Sequence, residues 1–225
     1  MYRYNRDSYQ IKRFLEEREI QHLYHFTRLE NLDNICNMGL LSVDRLEENN
    51  IECYRNDAYR LDGATNTISL SIEFPNYKML YSYRMNSDSK WIIISLSPAL
   101  LYELECLLCR HNAASNEITN EERSNLYGIK GLRSMFSDTM IYRGIQKMRR
   151  EGLPSYYTTD PQAEVLVRDS ISPKYIEEIR FESYEDFDEN KSICQDNGIK
   201  CLYEGVNYKG SKLFSPRIDY DDWRY

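Results

Sequence analysis

The sequence predicts an α+β fold, and three observations carry that expectation. Apolar residues alternate with a period of two in some segments and recur at i, i+3, i+4 in others. The strand-like segments do not alternate regularly with the helical ones, as a doubly wound sheet would require. With 41% hydrophobic residues, 29% charged, and only 9 Gly and 6 Pro among 225 residues, the chain can build an ordinary core and is neither collagenous nor broadly disordered. That length favours one domain, 1–225, with an acidic C-terminal segment from about 182.

Residues 8–18 place Ile11, Phe14 and Leu15 on one face against a charged one, which predicts a short helix. His22-Leu-Tyr-His-Phe26 alternates like a strand. Thr27-Arg-Leu-Glu30 has the form of a capping box, in which Thr27 and Glu30 each satisfy the other's backbone donor; it opens a predicted helix from about 28 to 38 that Gly39 ends. Residues 44–66 are polar and aperiodic, a long loop, and loops of that length in a compact domain are usually functional or disordered.

Thr67-Ile-Ser-Leu-Ser-Ile72 alternates with Ile68, Leu70 and Ile72 on one face, and Trp91-Ile-Ile-Ile-Ser-Leu96 reads as a strand buried on both faces. Ser97-Pro98 supplies a cap and a first-turn proline for a predicted helix over 98–108. Residues 112–126 read as a second long loop. Over 138–150 Asp138 can cap a helix in which Met140, Ile141, Ile145 and Met148 form an apolar stripe directed at the core. Glu164-Val-Leu-Val-Arg168 is a strand, Ser172-Pro173 opens a short helix, and Ile179–Phe181 and Ile199–Tyr203 are two further short strands.

Net charge is −7, which argues against binding nucleic acid by indiscriminate electrostatics. Charge is unevenly spread: from Arg123 to Arg150 seven basic residues face Asp138 alone, a local net of +6, while Glu182, Glu185, Asp186, Asp188, Glu189 and the tail Asp219, Asp221 and Asp222 are acidic. No apolar run approaches the length of a transmembrane helix and no apolar leader opens the chain, so a cytoplasmic protein with reduced cysteines is expected. Cys106-Leu-Leu-Cys109-Arg-His111 has the spacing of half a zinc site but lacks a matching second half, so no metal is expected and these cysteines read as small hydrophobes on a helix.

Dinucleotide-fold glycines, a P-loop, His-Glu-x-x-His and Gly-x-Ser-x-Gly are all missing from the sequence. What remains is dispersed: His25 in a strand, Arg55 and Arg60 in a polar loop, and Glu164 opening an apolar strand after Thr158-Thr-Asp-Pro-Gln162. Tyr24-His-Phe-Thr27, the run Ser71–Arg84 and Thr159-Asp-Pro-Gln-Ala-Glu-Val-Leu-Val167 together resemble one family, the DarT-type ADP-ribosyltransferase toxins, over about residues 20–181.

The resemblance implies a mono-ADP-ribosyltransferase fold of two facing antiparallel sheets with flanking helices, holding NAD in a cleft and transferring ADP-ribose to a base of single-stranded DNA. By motif match, His25 and Thr27 would contact NAD, Tyr77 and Tyr81 would lie near the nicotinamide, and Glu164 would take the catalytic carboxylate position. Glutamate suits that role because breaking the nicotinamide bond builds positive charge on the ribose, which a carboxylate stabilises. The same resemblance implies that Arg60, or alternatively Arg55, would be the counterpart of the family's arginine.

Lys147, Arg149 and Arg150 would hold the acceptor strand, and Tyr156 and Tyr157 would stack on its base. Where the thymine-modifying branch has Tyr-Val-Pro-Phe-Tyr-Phe, this chain has Ile68-Ser-Leu-Ser-Ile-Glu-Phe74, and Phe74-Pro-Asn-Tyr-Lys-Met79 resembles the branch for which guanine is the acceptor. The expected partner is a macrodomain-type ADP-ribosyl hydrolase antitoxin, the toxin itself a monomer; RNA or protein acceptors, for example in phage defence, form the alternative.

Overall fold

In the computed structural model, which describes residues 4–54, 64–204 and 212–223, the N-terminal amphipathic segment forms α1 (Tyr4–Glu17), and Ile11, Phe14 and Leu15 are buried in the main core as their spacing requires. The alternating run that follows is β1 (Leu23–Arg28), which begins one residue later and ends two residues later than the sequence suggested. The capping box does not form. Thr27 is still in the strand, its hydroxyl is occupied by Asn31, and a 3-10 turn over Leu29–Asn31 precedes α2 (Leu32–Met38). Gly39 does end that helix at φ +83°, where a Cβ would lie 2.1 Å from the Ile171 carbonyl oxygen.

β2 (Leu40–Leu41) follows, and then a helix where a loop was expected: α3 (Val43–Glu48), begun by Ser42, whose hydroxyl accepts from the Arg45 N–H at 3.3 Å. β3 (Thr67–Ile72), α4 (Tyr77–Met85) and β4 (Trp91–Leu96) come next. Every residue of β4 is buried, with Ile92, Ile94 and Leu96 in the main core and Trp91 and Ile93 in a second cluster with Tyr24, Phe74, Tyr77 and Leu80. Burial on both faces is why this strand reads as a continuous apolar run.

The helix expected over 98–108 stops early. α5 covers Leu100–Glu103 only, and Cys106–Cys109 form β5. Three residues apart on a strand, Cys106 and Cys109 fall on opposite faces, Cys106 in the main core and Cys109 in a separate cluster, so the half-zinc spacing cannot chelate one ion. Burial pushes the Cys106 thiol up to about 12, the character of an inert core cysteine. The second expected loop contains α6 (Asn116–Thr119) and a 3-10 turn at Arg123–Leu126, and is followed by α7 (Gly128–Ser134).

The largest departure is at 138–150, where a hairpin replaces the expected helix: β6 (Thr139–Tyr142) pairs with β7 (Ile145–Met148). Arg143 and Gly144 sit at φ +51° and +74° in a two-residue turn, the geometry that matches strand twist. Met140 and Tyr142 point inward with period two and pack with Trp223, while Ile141, Ile145 and Met148 are exposed, Met148 at 74%. The apolar stripe is therefore a coincidence of spacing.

β8 (Glu164–Arg168), β9 (Ser170–Ile171), a 3-10 turn from Pro173 and β10 (Ile176–Phe181) complete the central strands. The acidic segment after 182 is a helix, α8 (Tyr184–Asp196): Ser183 caps it by accepting from the Asp186 N–H at 3.1 Å, and Glu185 and Asp186 lie in the first turn, where the helix dipole favours negative charge. β11 (Lys200–Tyr203) runs parallel to β10, the one parallel pairing among the described residues.

The seven-stranded order is β11-β10-β4-β1-β3-β8-β5, with β2-β9 and β6-β7 as separate pairs. β1 pairs with β4 along its whole length but with β3 only at Leu23–Ile72 and Tyr24–Ser71. Beyond Tyr24 the sheet forks into two halves, β11-β10-β4-β1 and β3-β8-β5, which correspond to the two sheets expected. Among the described residues no helix is long and apolar enough to cross a membrane.

Candidate active site

The fork opens a cleft of about 270 Å³ whose walls include Tyr24–Thr27 of β1, Thr67–Ser71 of β3, Asn76, Met79 and Tyr83 at and along α4, Tyr54, and Glu164 of β8. His25 is the first residue past the last β1–β3 pair. Its Nδ1–H donates to the Ser69 carbonyl at 2.9 Å, spanning the gap that strand pairing no longer closes. Thr27 is buried two residues on, its hydroxyl accepting from Asn31 Nδ2 at 2.9 Å. Asn31 also grips Tyr54, donating to its carbonyl and accepting from its N–H, both at 2.9 Å, so one buried amide fixes the wall opposite β3.

Glu164 enters from the other half. β8 lies between β3 and β5, so Glu164 opens an interior strand rather than an edge. At 6% exposure its carboxylate accepts from the Ala113 N–H at 2.8 Å and from Asn112 Nδ2 at 3.3 Å, which fixes both oxygens. Asn76, which starts α4 by accepting from the Met79 N–H at 3.2 Å, keeps its Nδ2 buried and without a partner among the described residues. A buried donor in a cleft wall suits a ligand carbonyl.

The family model described as "ssDNA thymidine ADP-ribosyltransferase, DarT" matches residues 24–209, most of the chain. This chain belongs to the DarT family. Among solved structures, Thermosipho africanus DarTG in complex with ADP-ribose superposes with a TM-score of 0.55 at 21% identity, over 82% of this chain and 50% of that one. The chain thus spans half the length of that match. Thermus sp. 2.9 DarT in complex with NAD+ superposes at 0.50 with 15% identity, covering 83% and 96%, and the same protein in complex with ADP-ribosylated ssDNA at 0.50 with 16% identity, covering 83% and 95%. At these identities the likeness is one of fold. Comparison with curated proteins gives no match.

Other residues singled out in this DarT-family sequence are not brought into the cleft. Tyr77 and Tyr81 line a second cavity on another face of α4, while Met79 and Tyr83 take the cleft face. The helical period decides this, since residues four apart share a face and residues two apart do not. Arg55 and Arg60 lie outside the described residues. Arg149 donates to the carbonyls of Tyr157 at 2.8 Å and Pro154 at 2.7 Å, and to the Thr159 hydroxyl at 3.1 Å, so it clamps the loop ahead of Glu164.

Lys147 donates to the Asp222 carbonyl at 3.3 Å and sits 5.6 Å from the Trp223 ring; Arg150 donates to the Ile218 carbonyl at 2.9 Å and faces Asp222 at 3.4 Å. Tyr156 and Tyr157 meet edge to face at 4.8 Å, and Tyr157 also packs edge-on against Phe74, with burial raising its hydroxyl to about 12. All five are thus engaged with the pre-Glu164 loop or the C-terminal turn.

Two buried pairs escaped the sequence reading. His111 and Asp160, both fully buried, meet at 2.7 Å and tie the segment that carries Asn112 and Ala113 to the loop that leads into Glu164. Arg217 and Asp219 form a two-pronged pair at 2.7 Å, both 1% exposed, and Arg217 also donates to the Thr158 hydroxyl at 3.3 Å and lies 5.3 Å from the Tyr157 ring. Only the Thr158-Thr-Asp-Pro-Gln162 block hinted at the first of these, and nothing local marks Arg217.

Proposed function

We propose that this chain transfers ADP-ribose from NAD to a base of single-stranded DNA, guanine preferred, acting as a monomer restrained in the cell by a macrodomain-type ADP-ribosyl hydrolase. The observation that carries the reading is the oriented, buried Glu164 carboxylate in one wall of a forked-sheet cleft whose other wall bears His25 and Thr27. The matched family and the NAD+, carba-NAD+ and ADP-ribosylated-ssDNA complexes of the Thermus protein support it. Thermosipho DarTG, solved with ADP-ribose, is in keeping with an antitoxin partner.

His25, Thr27 and the buried Asn76 amide fit the polar groups of a dinucleotide, and NAD supplies an activated ribose whose bond to nicotinamide breaks with the electron pair leaving on the pyridine nitrogen. Glu164 offsets the positive charge that builds on the ribose and accepts from its 2′-hydroxyl, interactions that strengthen in the transition state. A base nitrogen closes the new bond and loses its proton to solvent. Arg60, or Arg55, would clamp the phosphates with its planar fork. Lys147, Arg150 and Tyr156 would lie along the acceptor strand.

The departure at Ile68–Phe74 from the thymine-branch pattern supports guanine. Incubation with labelled NAD and separate pools of single-stranded DNA, RNA and protein tests the reading. Label is expected on guanine-containing single strands and much less on thymine-only strands; label confined to RNA or protein would overturn it.

His25→Ala is expected to weaken NAD affinity roughly 2- to 12-fold, the equivalent of one hydrogen bond of about 0.5–1.5 kcal/mol. Calorimetry on the folded variant checks this. An unchanged affinity would leave His25 as a strut between β1 and β3.

A further inference from the structure

The second cavity, on the α4 face turned away from the cleft, encloses about 600 Å³, within the range of small-ligand sites. Its walls come from two elements, Tyr77, Lys78, Tyr81 and Arg84 of α4 and Phe214, Tyr220 and Trp223 near the C-terminus. We propose that this cavity holds an unstacked base of the acceptor strand, flanking the one that is modified, with its phosphate on the Lys78 and Arg84 rim. The proposal rests on the reading of a single-stranded acceptor and adds a second, non-reacting subsite to it.

The chemistry of the lining favours that occupant. Tyr81 is 57% exposed and Tyr220 is more than a third exposed, so aromatic rings from both elements remain open to solvent. Stacking on exposed rings is how single strands are held without sequence readout. Tyr77 contributes a largely buried ring to the same wall.

Two cations border the rings. Lys78 Nζ donates to the Trp223 carbonyl at 2.6 Å, and Arg84 donates to the Phe214 carbonyl at 3.0 Å and pairs with Glu182. Neutral carbonyls fix these side chains without cancelling their charge, though Glu182 offsets part of that on Arg84.

Placement also favours an acceptor strand. Tyr157, in the loop that leads to Glu164, packs on Phe74 at 5.8 Å, and Phe74 packs on Tyr77 at 6.4 Å, so buried rings brace that loop against the wall of this cavity. The cavity and the cleft lie on different faces of one helix, about 10 Å thick. An extended strand crosses that distance in a few nucleotides.

The test is fluorescence anisotropy of a short labelled single strand with wild type and Tyr81→Ala, beside NAD affinity by calorimetry on the same proteins. Tyr81→Ala, at an exposed site, is expected to weaken strand binding by about fivefold or more, the loss of one base stack, with NAD affinity unchanged. Unchanged strand affinity would overturn the proposal. So would a loss of NAD affinity in its place, which would return Tyr81 to the nicotinamide. If wild type itself neither binds nor labels single strands, the functional reading falls with it, a result distinct from failure of the variant alone.

Discussion

Glu164→Gln should abolish ADP-ribose transfer while leaving the protein folded. Glutamine keeps the volume of the side chain and one oxygen for the Ala113 N–H, but replaces the other oxygen with a donor facing Asn112 Nδ2. That mismatch costs about 0.5–1.5 kcal/mol of stability, a few degrees in melting temperature for a chain of this size. Activity should suffer far more, because the lost negative charge acts only as positive charge develops on the ribose: a fall of about 100- to 1,000-fold in nicotinamide release is expected. A folded variant within about tenfold of wild type, roughly 1.4 kcal/mol, would remove Glu164 from the reacting centre.

The second large effect is on stability. Asp219→Ala leaves the Arg217 guanidinium buried without its carboxylate, and breaking a buried pair from one side costs about 3–5 kcal/mol because the remaining charge is uncompensated. Removing both charges as Arg217→Met with Asp219→Leu is expected to cost clearly less, since apolar groups of similar size need no partner. Urea unfolding of wild type, single and double variants measures this directly. A single variant within about 0.5 kcal/mol of wild type would mean that the pair contributes little. Loss of Arg217 should also slow transfer, because that side chain holds Thr158 and Thr159 just ahead of Glu164.

Strands with one or two buried faces were legible. β3, β4 and β8 fall where alternation or continuous apolar runs placed them, and the α+β class follows from them. The hairpin at β6–β7 was not, because Met140, Ile141, Ile145 and Met148 happen to match a helical period and Arg143-Gly144 is not among the strong turn dipeptides. α8 hid behind its charge, since only Phe187, Ile193 and Cys194 mark its inner face. Thr27 carries a capping signature that Asn31 overrides by taking its hydroxyl.

At the site, His25, Thr27 and Glu164 were each visible in a short local block, and folding draws the three blocks to one cleft. Asn31, Asn76 and the His111–Asp160 pair were not visible, because what distinguishes them is which distant backbone they meet. Tyr77 and Tyr81 stood out in the same way, but the period of α4 turns them to the second cavity and not to this cleft.

On the proposed function, the cleft at the β1–β3 fork moves ADP-ribose from NAD to an unpaired base. Intact mass measurement of a short guanine-containing strand, incubated with enzyme and NAD both alone and annealed to its complement, tests this most directly. Flipping a paired base out of a duplex costs a few kcal/mol, which a chain of net charge −7 has little general phosphate attraction to offset. The single strand should gain the mass of one ADP-ribose with equimolar nicotinamide released, and the duplex hardly change. Nicotinamide release with no gain in the single strand, or equal gain in the duplex, would contradict transfer to an unpaired base.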